Sequence, residues 1–175
     1  MSDDPRYPIG PFRYSGSRTE AERAGRIEKI ATLPDRLDAV LATLEPADWA
    51  TPYRPGGWTV RQVVHHLPDS HLHGYGRFMF ALAQDGVSIL PYVEARWAGV
   101  VERKDLPAEP SLALLRALHA RWTTLLLSLD DGDFGCAIHH PDHNRMITMD
   151  ELLATYAWHG DHHLAHIESV RGRMR

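Results

Sequence analysis

Cysteine is almost absent from this chain. Cys136 stands alone among 175 residues, so an intrachain disulfide is impossible and a cysteine-rich structural zinc site is excluded. Charge of one sign is also missing: the formal net charge is −4, with acids and bases interspersed. Without a basic face there is no electrostatic case for nucleic acid. No apolar run approaches the roughly 18–20 residues that cross a bilayer. The start, Met1-Ser2-Asp3-Asp4-Pro5, lacks the basic and apolar regions of a signal peptide, so a cytoplasmic location is expected. Internal repeats and low-complexity segments are lacking too. The composition is that of one globular domain, 43% hydrophobic and long enough to bury a core without staples.

Histidine, by contrast, is abundant. There are 12, and His159, His162, His163 and His166 fall within eight positions, with the pair His65-His66 far upstream. Neutral imidazole is the commonest metal ligand, so the chain reads first as a metalloprotein.

Periodicity places these residues on helices. Residues 1–18, rich in Pro, Gly, Arg and Tyr, read as an extended arm. Ile27, Ile30, Leu33, Leu37, Leu41 and Leu44 recur at three- and four-residue steps, predicting a helix over 19–44 that Pro34 should kink or split. Thr59 and Gln62 form a capping box that opens a second helix running to about residue 83. A long connection, 84–110, is predicted to hold a short helix around Val93–Val101. Ser111 is expected to cap a third helix through Leu129, and Thr148 with Glu151 to open the last. Between these, the turn-like His140-Pro141-Asp142-His143-Asn144 suggests a small hairpin pairing 135–139 with 145–148. The fold class is therefore all-α, a four-helix bundle. The connection between its second and third helices is long enough to cross the bundle.

On a wheel of about 100° per residue, His159 and His163 fall on the apolar stripe of the last helix with Leu152, Tyr156, Ile167 and Val170. His166 lies at the edge of that stripe, and His162 about 80° off it. In the second helix His66 sits at the edge of the inward face and His65 points toward solvent. Periodicity thus favours 159/163 over 162/166, and His66 over His65. Three inward imidazoles on two helices would leave a fourth position of a tetrahedral ion open, the usual catalytic arrangement. His71 and His73 sit near a polar flank and receive no role. His139, His140 and His143 read as solvated loop residues. His119, between Leu115 and Trp122, reads as a satisfied core or interface histidine rather than a partner orienting a ligand. Cys136 and the five tryptophans read as packing or pocket wall.

Thr51-Pro52-Tyr53-Arg54-Pro55-Gly56-Gly57-Trp58-Thr59-Val60-Arg61-Gln62-Val63-Val64-His65-His66 resembles the central motif of the YfiT group within the DinB-like superfamily. Trp158-His159-Gly160-Asp161-His162-His163-Leu164-Ala165-His166-Ile167 resembles its C-terminal motif. Tyr7-Pro8-Ile9-Gly10 and Leu118-His119-Ala120-Arg121-Trp122 fit as well, so the likeness spans nearly the whole chain. It implies a bundle with a non-sequential crossover and one divalent metal, zinc or nickel, on His66, His159 and His163, as well as a homodimer. Members are commonly named metal-dependent hydrolases, and the wider superfamily includes transferases of low-molecular-weight thiols such as bacillithiol. Pro68 departs from the motif and predicts a kink just past His66.

Three functions follow as expectations. The first is a thiol S-transferase of bacillithiol type, acting on a small thiol and an electrophile. The second is a hydrolase in which the metal generates hydroxide. The third is a non-catalytic metal- or ligand-binding protein. Asp69, Asp161 and Glu168 fall off the inward stripes, leaving Asp142 in a loop as the candidate carboxylate base. That scarcity of bases tilts the expectation toward thiol transfer.

Overall fold

The structure is a computed structural model describing residues 4–16, 19–104 and 106–171, with backbone alone for 101–104. Four long helices, α1 (Glu20–Leu41), α2 (Val60–Ala83), α4 (Ala108–Leu127) and α6 (Met149–Glu168), form the body. α3 (Glu94–Lys104) lies in the long connection after α2, and α5 (Asp131–Gly135) is a single turn. α1 packs on α6 and α4, and α2 packs on α4 and α6. Around the bundle the order is therefore α1–α6–α2–α4. The long 84–107 connection, expected to cross the bundle between the second and third long helices, instead joins two neighbours, α2 and α4.

Local chemistry sets the helix starts. Thr59 accepts from the Gln62 amide while Gln62 Oε1 takes the Thr59 amide, the reciprocal box read from the sequence. Thr148 caps α6 through the Glu151 amide, but the Glu151 carboxylate is held elsewhere, in a two-pronged pair with Arg145. Ser111 is not a cap. α4 begins earlier, at Ala108 behind Pro107, whose fixed φ suits a helix entrance, and the Ser111 hydroxyl bonds His65 Nδ1 at 2.8 Å instead. α1 ends at Leu41, three residues short of the predicted end, and α4 at Leu127, two short. Pro34 does not split α1, nor does Pro68 interrupt α2.

The predicted hairpin is present as β2 (Ala137–His140) and β3 (Arg145–Thr148), antiparallel, with Ala137 opposite Thr148. Asn144 turns it with a φ of 46°, a region asparagine tolerates. A strand not read from the sequence, β1 (Val87–Ser88), adds in parallel to β2. Two residues are too few for any alternation signal.

α6 is the most buried helix, with neighbours on several sides. At one end Leu152, Leu153 and Tyr156 join Phe78, Trp122, Ile138 and Met149; at the other Leu164 and Ile167 join Leu33, Leu37, Val63, Leu67 and Leu115. His159, His162 and His163 of α6 lie along the helix between the residues that enter these two clusters. The N-terminal segment from residue 4 lies on this helix: Trp158 Nε1 donates to Gly10 O, Phe12 packs on Trp158, and Tyr14 donates to Asp150. Residues 1–3 and 17–18 of the predicted arm lie outside the described residues. Among the described residues no helix is long and apolar enough to cross a membrane.

Candidate metal centre

His66 from α2 and His159 and His163 from α6 converge between the two apolar clusters. One ligand atom from each lies within 4.8 Å of the others, and His66 Nε2 stands 3.1 Å from His159 Nε2. His66 and His163 are buried; His159 is half-buried. Burial pushes the His66 pKa down to about 4 and those of His159 and His163 well below the ordinary value, with the neighbouring imidazoles adding to the effect. At neutral pH all three are uncharged and carry a lone pair. A cluster of neutral nitrogen donors with no carboxylate among them fits a borderline ion such as zinc or nickel. Tyr92 Oη lies 3.4 Å from His66 Nδ1, on the side away from the cluster, and burial pushes its phenol pKa up.

A cavity of about 410 Å³ opens onto the three histidines. Tyr7, Tyr53, Trp58 and Trp158 give it aromatic walls, while Arg6, Arg54 and Glu94 bring charge. Trp58 tilts over His66 with ring centroids 4.7 Å apart, and Tyr53 stacks on His166 at 3.8 Å. His162 and His166 line the cavity beside the cluster; burial pushes both down to about 4.

The other histidines need corrections. His65 does not face solvent: it is buried, and its Nε2 donates to Leu106 O at 3.1 Å. The 84–107 connection covers that side of α2, which the wheel alone could not foresee. His71 is not on a polar flank but fully buried, bonded to His119 and His159. His73 is half-buried against Tyr92 and Trp97, and its Nε2 is buried without a partner among the described residues. His140 is buried in the sheet and His139 bonds Ser88, so these two are not solvated loop residues. His119 is a core histidine, as read, yet it is also linked through His71 to the cluster.

Carboxylates fall differently from the expectation. Asp142 does not line the cavity, whereas Glu94, at the start of α3, does. No periodic signal marked α3 as a cavity wall. Asp161 is not on an outer face but is clamped between Lys29 and Arg36 of α1 at 2.7 and 2.8 Å.

Fold and cluster together define a four-helix bundle with three clustered histidines that open into an aromatic-lined cavity. The chain belongs to the DinB superfamily, whose profile matches residues 29–167. It is 44% identical over 171 residues to a "putative metal-dependent hydrolase" of Bacillus mycoides strain KBAB4, covering 98% of each chain. YfiT of Bacillus subtilis strain 168, of the same description, is 40% identical over 168 residues, 96% of this chain and 94% of that one. The solved YfiT structure, described as a probable metal-dependent hydrolase with an unusual four-helix bundle topology, superposes with a TM-score of 0.92 over 97% of both chains.

Proposed function

We propose that this chain is a metal-dependent enzyme that activates a small nucleophile on a divalent ion, zinc or nickel, held by His66, His159 and His163, and that the nucleophile is a low-molecular-weight thiol of bacillithiol type. The observation that carries the reading is the neutral three-imidazole cluster at the wall of an aromatic-lined cavity. A divalent ion held there would supply Lewis acidity, which lowers the pKa of a thiol or a water.

The surrounding residues do the rest. Burial keeps the imidazoles unprotonated at neutral pH, so protons do not compete with the cation for their lone pairs. Trp58 covers His66 and Tyr53 covers the neighbouring His166, and the ring walls offer flat surfaces to a substrate. In thiol transfer the thiol proton leaves to solvent and the sulfur lone pair forms the new bond to an electrophilic carbon. The leaving group departs with its bonding pair and is protonated. No side-chain base is required, which suits a cavity whose carboxylate, Glu94, is exposed at the rim.

Hydrolysis is the second reading. Glu94 favours it, because it adds a carboxylate to the lining of the cavity onto which the three histidines open. The descriptions of the relatives point the same way.

The first test is metal content by plasma mass spectrometry on untagged wild type and His159→Ala. About one zinc or nickel per chain, lost in the variant, supports the site; metal-free protein that also refuses added zinc and nickel overturns it. Titration of a cobalt-substituted form with bacillithiol or cysteine then separates the chemistries. A sulfur-to-cobalt charge-transfer band and turnover indifferent to Glu94→Gln support thiol transfer. Absence of the band, with ester hydrolysis abolished by Glu94→Gln, supports the hydrolase.

A further inference from the structure

Pro34 lies inside α1 and has no N–H, so the Ile30 carbonyl one turn earlier receives no helical hydrogen bond. Ile30 is buried, and an unpaired buried carbonyl is costly. His119 of α4 meets this need: its Nδ1 lies 2.5 Å from Ile30 O. A carbonyl only accepts, so Nδ1 carries the proton and His119 Nε2 keeps its lone pair. His71 Nδ1 is 2.9 Å from that Nε2 and must therefore be the donor. His71 Nε2 is left as an acceptor, and His159 Nδ1 is 3.0 Å from it. His159 must then be protonated at Nδ1, with its Nε2 lone pair turned toward His66 Nε2. The rings around His71 are His119, Trp122, Tyr156 and His159, with no carboxylate among them to support an imidazolium. The neutral tautomers are the ones that satisfy every contact.

We propose that His71 and His119 are positioning residues: anchored on the carbonyl that Pro34 frees, they hold His159 in its Nδ1–H tautomer and present its Nε2 to the metal. The chain of bonds runs from α1 through α4 and α2 to α6, so all four long helices contribute to the orientation of one ligand. An imidazole fixed this way does not have to give up rotational or tautomeric freedom when the ion arrives, and its ligating nitrogen is made more basic. This inference rests on the metal reading above.

Long-range ¹H–¹⁵N NMR of the ¹⁵N-labelled protein reads the tautomers directly, metal-free and zinc-loaded. The expected pattern is Nδ1–H at His119, His71 and His159 in both states. Protonation of His71 or His119 at Nε2 alone overturns the proposal. Zinc affinity, measured by chelator competition, provides the second readout. His119→Leu should weaken it about 10–100-fold. His119→Gln should recover most of that loss, since its amide can donate to Ile30 O and accept from His71. Equal affinity in wild type and in both variants overturns the positioning role. Should His119→Leu fail to fold, the Gln variant compared with His71→Leu and the wild-type spectra still decide. Wild type that refuses zinc sinks the metal reading and this role with it. Wild type that binds zinc with His71 protonated at Nε2 sinks the relay alone.

Discussion

Gly74→Ala should destabilise this protein, although alanine is the better helix former. Gly74 sits in α2 facing Trp122 of α4 and Tyr156 of α6. A Cβ there would lie 2.6 Å from Tyr156 Cζ and 2.8 Å from Trp122 Cη2. Carbon contacts are comfortable at about 3.5–4.0 Å, so one or both rings must move by about an ångström. Neither has room: Trp122 is fully buried, and the Tyr156 hydroxyl is held by Arg77 at 3.1 Å. Helix propensity returns about 1 kcal/mol, while overpacking a tight core costs about 1–3 kcal/mol. The expected net loss runs up to about 2 kcal/mol, the larger values if Tyr156 cannot rotate. Gly76, two residues on in the same helix, is the control, because its Cβ would meet nothing nearer than Phe80 at 3.9 Å. Gly76→Ala should stabilise by up to about 1 kcal/mol. Urea denaturation of the metal-free proteins, with unchanged slopes, measures both. Tyr156 lies one turn before His159 and edges onto His71, so Gly74→Ala should also weaken zinc binding. A Gly74→Ala protein as stable as Gly76→Ala would refute the packing argument.

Three further outcomes are expected. Burial holds His119 at about 4, against 6.5 when unfolded, so the unfolded chain takes up its proton first. Its contribution is whole above pH 6.5 and fades as the pH falls toward 4, about 2 kcal/mol being lost by pH 5; a urea midpoint of the metal-free protein that stays flat between pH 7.5 and 5 would contradict this. Thr59→Ala removes one half of the α2 capping box and should cost about 1 kcal/mol by denaturation, with Thr59→Ser restoring it. Asp161→Ala releases Lys29 and Arg36, both about half exposed, and should cost under about 1 kcal/mol, an effect that shrinks in molar salt.

Most of the bundle was legible because its helices are written in local chemistry. The Thr59–Gln62 box and the spacing of Val63, Leu67, Ser70 and Phe78 place α2 without reference to any neighbour. The same periodicity put His66, His159 and His163 on inward faces, and the structure brings them together. What escaped was set by partners distant in the chain. His65 is buried because Leu106 and Ser111 cover it, and His71 because Trp122, Tyr156 and His119 close around it; none of these lies in its own helix. Pro34 read as a break because the sequence cannot show that a histidine 85 positions later bonds the carbonyl it frees. Glu94 was missed as a cavity residue for a related reason: α3 is short, and its placement over the site depends on the path of the connection.

The small sheet has a consequence for the histidine cluster. β3 runs into α6 with no linker: Thr148 is both the last strand residue and the helix cap, and Met149 N is pinned to Cys136 O at 2.8 Å. The hairpin register thereby sets the rotational phase of the helix. A slip of one residue between β2 and β3 would turn α6 by about 100° on its axis, carrying His159 and His163 away from His66. The hairpin is the angular reference from which His159 and His163 are aimed, and a one-residue insertion at its Asp142–Asn144 tip should be tolerated where the same insertion after Thr148 abolishes zinc binding.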